Sequence, residues 1–296
     1  MHLSGLFIYP VKSLRGCAVA EAELDPLGFC GDRRFLVVDP SGRFLTQRTV
    51  PRMALVQPTL NGALMTLRAD GAGEMAVPRQ GPAAASDPTL AVTIWQSEGL
   101  RAEDCGPEAS RWLTDVLQTP SRLVRIGPAF SRPMLERKLP PEWRRPENRA
   151  IVRPEGVSHE YFVNFSDGFP ALVIGETSLA DLNFRLAARE FSPVPMDRFR
   201  PNLVIAGSEP FAEDRWRRFR VGGAIFRGGG PCARCIVTTT DQWTGERGIE
   251  PLRTLADYRR DPAQPTNVNF GQNLLSESPG GRVRTGDPVE VLEGQA

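Results

Sequence analysis

The segment GGGPCARCIVTTTDQWTG, residues 228–245, sets Cys232 and Cys235 in a CxxC behind three glycines and a proline. Such a pair can hold half of a tetrahedral zinc site, shuttle electrons as a dithiol, sit in a core, or offer one thiolate with an incidental neighbour. A closed zinc site asks for four ligands, and the chain adds only two histidines, His2 and His159. A thioredoxin-type dithiol opens a helix, whereas this pair runs into IVTTTD, a β-branched stretch that predicts a strand. Two readings fit the residues better. Both cysteines are small core side chains, or one thiolate beside Arg234 serves a soft or borderline metal carried by a cofactor.

A second set of residues suits an anion. Lys12 and Ser13 stand in YPVKS, where Pro10 interrupts a strand; Arg33 and Arg34 head a hairpin in GDRRF, and Arg48 lies near its far end. Arg198, Arg200 and Asn202 occupy RFRPN just before another strand, and FSDGFP offers Ser166 with backbone amides around Gly168. Arginine forks, hydroxyls and nests of backbone N–H groups are the means by which proteins hold phosphorylated ligands. Each charge alone reads as solvated surface. Their joint occurrence at strand ends, with a thiolate, points to a phosphate-bearing ligand. Asp167 and Asp241 are the carboxylates beside these motifs and the candidates for proton delivery.

The elements that must position these residues are mostly strands. GLFIYPV reads as a short strand, and RRFLVVDPSGRFLTQR as a hairpin turning at Asp39–Gly42. ALVQPTLNGALMTLRAD repeats the device with Asn61-Gly62, a strong hairpin signal, and LAVTIWQ follows as another strand. PEASRWLTDVLQ carries an apolar stripe of Ala109, Trp112, Leu113, Val116 and Leu117, which predicts a helix. PALVIGETSLADLNFRLAAR reads as a strand entering a helix, with Ser178 and Asp181 at capping-box spacing. NLVIAG, RFRVGGAIFRG, CIVTTTD and VRTGDPVEVLE predict further strands, and IEPLRTLADYRR a helix. Residues 127–154 are dense in proline and arginine and form a long irregular connection. The fold class is therefore α+β and β-rich.

Composition narrows the function. The chain has 296 residues, 41% of them hydrophobic and 24% charged, and a formal net charge of +1, so no global field calls for nucleic acid or an anionic membrane. No apolar run approaches the roughly 18 residues of a membrane span, and the N-terminus lacks a signal pattern, which predicts a cytoplasmic protein. Cys17, Cys30, Cys105, Cys232 and Cys235 are an odd, scattered set and a poor disulfide framework.

In order along the chain, YPVKSLRG, GDRRFLVVDPSGRFLTQR, FSDGFPALVIGETSLADLN, FRPNLVI, PFAEDRW, PCARCIVTTTDQWTGERG-IEPLRTLADYRR and FGQN…VRTGDPVEVL resemble the MOSC family. The branch is the one with an N-terminal MOSC β-barrel domain, which includes amidoxime-reducing proteins, and the resemblance runs from about residue 3 to 292. It implies a MOSC-type β-barrel domain packed with an N-terminal β-barrel-like domain and peripheral helices, divided here as residues 1–122 and 123–296. It also implies a molybdenum cofactor, a Mo-molybdopterin, with Cys235 as metal ligand and catalytic residue and Cys232 as a neighbour outside the coordination sphere. Lys12, Ser13, Arg33, Arg48, Ser166, Arg200 and Asn202 would bind the pterin or its phosphate, with Arg34 able to take the place of Arg33.

The activity implied is reduction of N-hydroxylated small molecules of the amidoxime or hydroxylamine type, by oxygen-atom removal at cysteine-ligated molybdenum. The alternative is a carrier of molybdenum cofactor or sulfur. Some bacterial relatives continue into an iron–sulfur domain, and eukaryotic ones carry a membrane anchor and targeting segment. Neither follows here, so the expected electron source is an external ferredoxin, flavodoxin or flavin/iron–sulfur reductase. The basic connection, with Arg132, Arg137, Lys138, Arg144, Arg145 and Arg149, is the expected docking surface for an acidic carrier.

Overall fold

The computed structural model describes residues 1–81, 89–134 and 162–294. The first part runs β1 (His2–Ile8), β2 (Cys17–Ala18), β3 (Glu21–Asp25), β4 (Gly28–Phe29) and β5 (Phe35–Val38). It continues with β6 (Gln57–Asn61), β7 (Leu64–Ala69), β8 (Gly73–Pro78), β9 (Thr89–Ile94), β10 (Ser97–Asp104), α1 (Pro107–Leu117) and β11 (Arg122–Arg125). The second part runs β12 (Ala171–Gly175), α2 (Glu176–Ala187), β13 (Leu203–Ala206), β14 (Trp216–Val221) and β15 (Ala224–Ala233). α3 (Leu252–Tyr258), β16 (Asn269–Ser276), β17 (Arg282–Arg284) and β18 (Val289–Gly294) complete it.

The largest sheet has eight strands in the order β18-β14-β15-β16-β12-β13-β1-β2. β1 joins it antiparallel to β13, with Leu6 opposite Leu203, while β12 and β13 run parallel around the α2 crossover. The first strand of the chain is thus built into the sheet of its second half. The same holds for β3, which pairs with β17, Val283 facing Ala22. β5-β11-β10-β9 and β6-β7-β8 form separate sheets from residues 35–125 alone. The site described below lies where these two bodies of sheet meet.

Each body has its own core. Leu3, Leu6, Phe219, Phe226 and Leu274 pack on one face of the large sheet. Its other face is covered by α2 and α3, whose Leu182, Leu186 and Leu255 meet Ile174 and Phe270. Ala109, Leu113, Val116 and Leu117, four of the five residues of the predicted α1 stripe, are buried against Val37, Met53 and Met65, and Trp112 packs at the edge. Burying a side chain of the Leu or Phe size stabilises by about 1.5–3 kcal/mol, so these stripes decide where the helices dock.

Three local readings change. CIVTTTD is not a strand: Ile236–Thr239 form a 3₁₀ turn, because the hydroxyls of Thr238 and Thr239 donate to the carbonyls of Cys235 and Ile236 at 3.0 and 2.8 Å. Local side-chain bonds of this kind compete with the ladder that β-branched residues favour. The return arm of the first hairpin makes only isolated bridges, Val38 with Phe44 and Arg43 with Thr93, because it is shared between β5 and β9. Ser178 caps nothing. It is fully buried inside α2, where it donates to Glu213 at 2.9 Å and accepts from the Phe211 amide at 2.7 Å.

Candidate functional site

β1 ends at Ile8, and the chain turns through Tyr9 and Pro10 to set Lys12 against β5, its amide donating to the Phe35 carbonyl at 3.0 Å. Ser13 follows with φ 65°, Arg33 has φ 46° and Arg200 φ 58°. Left-handed backbone is uncommon for residues other than glycine, and strained positions cluster where a site needs a side chain aimed in a direction regular structure cannot give. Three residues expected from sequence to bind an anion therefore sit on backbone held in an unfavoured conformation.

The GGGPC run belongs to β15. A Cβ on Gly229 would lie 2.2 Å from the Phe169 ring, so the missing side chain is what lets the 166–169 turn close against this strand. β15 ends at Ala233, and Cys235 caps the short 3₁₀ turn beyond it with its side chain part-exposed. Cys232 also lies part-buried, but it packs against the core under α2 and α3 and receives a hydrogen bond from Arg234 Nη1 at 3.0 Å. Among the described residues no three His, Cys, Asp or Glu side chains converge as a metal cluster. Both thiols border the same cleft, but Cys232 also packs against a core and Cys235 does not.

Lys12, Ser13, Arg33, Arg48, Ser166, Arg200, Asn202 and Cys235 all line a single cleft. They reach it from segments at opposite ends of the chain, from Lys12 to Cys235. Arg34, offered as a substitute for Arg33, points elsewhere and pairs with Asp25 at 2.7 Å. Arg198 pairs with Asp241 at 2.7 Å.

Five cations line the cleft, Lys12, Arg33, Arg48, Arg200 and Arg234, and two carboxylates pair with the first three. Asp32 is fully buried and bonds Arg33 Nη1 at 2.5 Å. Asp167 is paired with Lys12, lies 3.2 Å from Arg48 Nη2 and accepts from the Trp95 indole at 2.9 Å. Burial opposes the charge of Asp167, yet Lys12 and Arg48 outweigh it and hold the carboxyl far below its usual range. Its side chain is 50% exposed, so solvent screens part of that effect. Burial pulls Lys12 down to about 8, against the attraction of Asp167, and pulls Arg200 down to about 10. Asp241 is also held ionised: burial opposes its charge, but the amides of Trp243 and Thr244 and the Arg198 guanidinium prevail. Neither proton-delivery candidate is therefore a proton donor near neutral pH.

Among the described residues three buried polar atoms on this wall lack a partner, one of them Arg234 Nε. Ser166, 6% exposed, has a hydroxyl with no hydrogen-bond partner, and Arg200 Nη2 is likewise buried without one. Unpaired buried polar atoms in a native fold mark the place of a missing ligand or water. Asn202 behaves differently. Its amide nitrogen donates to the Phe7 carbonyl and Asp32, and its oxygen accepts from Arg33 at 3.0 Å, so it positions Arg33 and offers the cleft little of its own.

Several members have no local sequence signal. Asp32 and Tyr9 adjoin motifs without being singled out, and Trp95 arrives from β9. Trp95 closes the cleft mouth with φ 53°, its ring meeting Phe44 edge-on at 5.0 Å and the Arg48 guanidinium at 4.8 Å. Arg132, expected on a docking surface, is 4% exposed and donates to the carbonyls of Asn164 and Ser166 at 2.9 and 2.5 Å. It braces the Ser166 turn from behind. Arg137, Lys138, Arg144, Arg145 and Arg149 lie outside the described residues.

The β-rich fold sets part-exposed thiols in a cleft of arginines, a donor set that suits an anionic ligand and a soft metal. The model of the MOSC N-terminal beta barrel domain matches residues 1–120 and that of the MOSC domain residues 160–290. The chain is 36% identical to mitochondrial amidoxime-reducing component 1 of Homo sapiens over 97% of its length and 82% of that protein. It is 34% identical to mitochondrial amidoxime reducing component 2 of Rattus norvegicus, over 97% of its length and 82% of that protein. It is also 33% identical to the molybdenum cofactor sulfurase of Danio rerio, over 93% of its length but 32% of that protein. The chain belongs to the MOSC family, in the branch that joins the N-terminal β-barrel domain to the MOSC domain.

Proposed function

We propose that this protein is a molybdenum-cofactor-dependent reductase of N-hydroxylated compounds, with Cys235 as the thiolate ligand of the metal. The observation that carries the reading is the Cys235 thiol on one wall of a cleft whose other walls present Lys12, Arg33, Arg48 and Arg200. The 36% identity to an amidoxime-reducing component supports the choice of reaction. The donor set fits the group. A soft thiolate suits molybdenum better than magnesium or calcium, and buried Lys12, part-buried Arg33 and Arg200, and an unpartnered hydroxyl suit a phosphate ester.

When bound, a molybdenum–pyranopterin supplies two-electron oxygen-atom transfer, by which an amidoxime, two electrons and two protons become an amidine and water. The chain's own residues do the rest. Lys12, Arg33, Arg200 and the Ser166 hydroxyl hold the phosphate, and Asn202 fixes Arg33. Arg48 Nη2 donates to Cys235 Sγ at 3.3 Å and orients it. Asp167 keeps Lys12 and Arg48 in place as a permanent carboxylate, so the two protons come from solvent. In this reading the electrons come from an external carrier.

The test is a metal and pterin analysis of protein purified from molybdenum-replete cells, with a benzamidoxime reduction assay driven by a dithionite-reduced dye. About one molybdenum per chain with turnover is the expected result. Molybdenum or persulfide sulfur passed to an acceptor without turnover replaces the reductase by a carrier, and protein without molybdenum overturns both.

A further inference from the structure

Two of the cleft's arginines lie against one aromatic ring. Arg33 Cζ is 4.5 Å and Arg200 Cζ 4.3 Å from the centroid of Tyr9. Like charges this close repel, and Arg33 is among the groups that depress the protonation of Arg200 after burial itself. Asp32 pairs with Arg33 at 2.5 Å, and from farther off Asp32 and Asp197 also favour the charged form of Arg200. Among the described residues Arg200 forms no ion pair, and its Nη2 has no hydrogen-bond partner. A buried guanidinium in that position needs another source of stabilisation, and the electron-rich face of an aromatic ring is one.

Tyr9 is built to stay put. It is 2% exposed, its hydroxyl donates to the Pro201 carbonyl at 3.0 Å, and its amide donates to Asp32 Oδ1 at 2.8 Å. The Arg33 amide donates back to the Tyr9 carbonyl at 2.7 Å. A Cβ on Gly16 would lie 2.4 Å from the ring edge, so the neighbouring chain closes directly on it. Every element that carries a cleft arginine of this pair is thus tied to the same phenol: the 32–33 turn through its backbone and the 200–202 turn through its hydroxyl.

We propose that Tyr9 is a positioning residue for anion binding, its ring holding Arg33 and Arg200 side by side as a charged clamp on the cleft. The ligand is of the phosphate-ester class, and its identity as the cofactor's phosphate rests on the reading given above. Tyr9 does not touch the ligand; it acts through the two guanidinium groups. A ring that merely fills the core would tolerate any apolar replacement that folds, whereas a clamp requires a π face.

The full chain is compared as wild type, Tyr9→Phe and Tyr9→Leu, by molybdenum-to-protein ratio and by calorimetric affinity for inorganic pyrophosphate after cofactor removal. Tyr9→Phe keeps the face and is expected within about threefold of wild type, while Tyr9→Leu loses roughly ten- to a hundredfold in affinity and retention. If Tyr9→Leu does not fold, Tyr9→Met supplies the same comparison. A folded Leu or Met variant that binds as wild type overturns the clamp, and so does a Phe variant that falls as far as Leu. Wild-type protein that binds pyrophosphate but purifies without molybdenum overturns the cofactor reading and leaves the Tyr9 comparison decisive. Wild-type protein that binds neither overturns both.

Discussion

Arg48 Nη2 donates to Cys235 Sγ at 3.3 Å across the cleft, and the same nitrogen lies 3.2 Å from Asp167 Oδ2. One guanidinium therefore ties the thiol, through a carboxylate, to Lys12 and to the indole of Trp95. The two hydrogens on that nitrogen let it serve sulfur and carboxylate together.

Cys235→Ala is expected to abolish molybdenum-dependent amidoxime reduction, because a methyl group cannot ligate a metal. Cys232→Ala should keep most of it. That thiol borders the cleft but packs against the core under α2 and α3, and its loss costs about 1 kcal/mol of packing. Specific activity and molybdenum content of the two variants provide the check. Equal losses from both would restore the dithiol reading of the CxxC.

Much of the fold was legible because its signals are local. The α1 stripe, the strand–helix passage at residues 171–187 and the turns at Asp39–Gly42 and after Asn61 all stand where pattern places them. The second of these turns is a two-residue loop, with Asn61 opposite Leu64 and Gly62 at φ 55°. The members of the site were legible as types, Lys12 through Cys235. Their meeting was not, since it depends on the 1–8 strand entering the large sheet beside residues 203–206. What misled was propensity. IVTTTD reads as a strand until its threonine hydroxyls turn back on the chain, and Ser178 reads as a cap until burial gives it Glu213. Trp95 left no trace, because nothing around it in sequence says that β9 ends at the cleft mouth.

Lys12 supplies a pH signature. Burial lowers its folded-state value to about 8, against 10.5 for the ordinary side chain. Between these values the unfolded chain holds a proton that the folded chain has released, so this residue makes stability rise with pH from about 8 to 10.5. Anion binding runs the other way, since the ammonium is lost as pH climbs through about 8. Denaturation midpoints and pyrophosphate affinity, measured for wild type and Lys12→Met from pH 6 to about 10.5, should differ with these two signs. Parallel curves for the two proteins would show that Lys12 does not titrate there.

Arg200→Ala is expected to lower cofactor occupancy rather than turnover per bound molybdenum. The residue reaches the cleft from backbone at φ 58° and carries a buried nitrogen with no partner of its own. Losing one charge-assisted contact to a buried phosphate costs about 1.5–3 kcal/mol, or one to two orders of magnitude in retention. Alanine keeps the unfavourable φ but removes a charge that forms no ion pair among the described residues, so the apoprotein should melt no lower than wild type. Normal molybdenum content in the variant would remove Arg200 from the ligand's surroundings.

Arg132 separates a bracing role from a docking one. At 4% exposure its guanidinium is closed to a partner protein, and it joins the carbonyls of Asn164 and Ser166 on the turn that presents Asp167 to Lys12 and Arg48. Arg132→Ala would strand two buried carbonyls, a loss on the order of 2–4 kcal/mol. For a chain of this length that is a fall in melting temperature on the order of 5–10 °C. The fall should persist at high salt, because buried contacts are screened far less than exposed ones. Arg132→Lys should recover only part of it, as one ammonium cannot span both acceptors in the geometry of the fork. With an acidic carrier as electron donor, loss of activity in Arg132→Ala should follow loss of folded protein and show no added salt dependence. A variant that melts like wild type yet reduces substrate slowly only with a protein donor would return Arg132 to the surface, in conflict with the packing that encloses it.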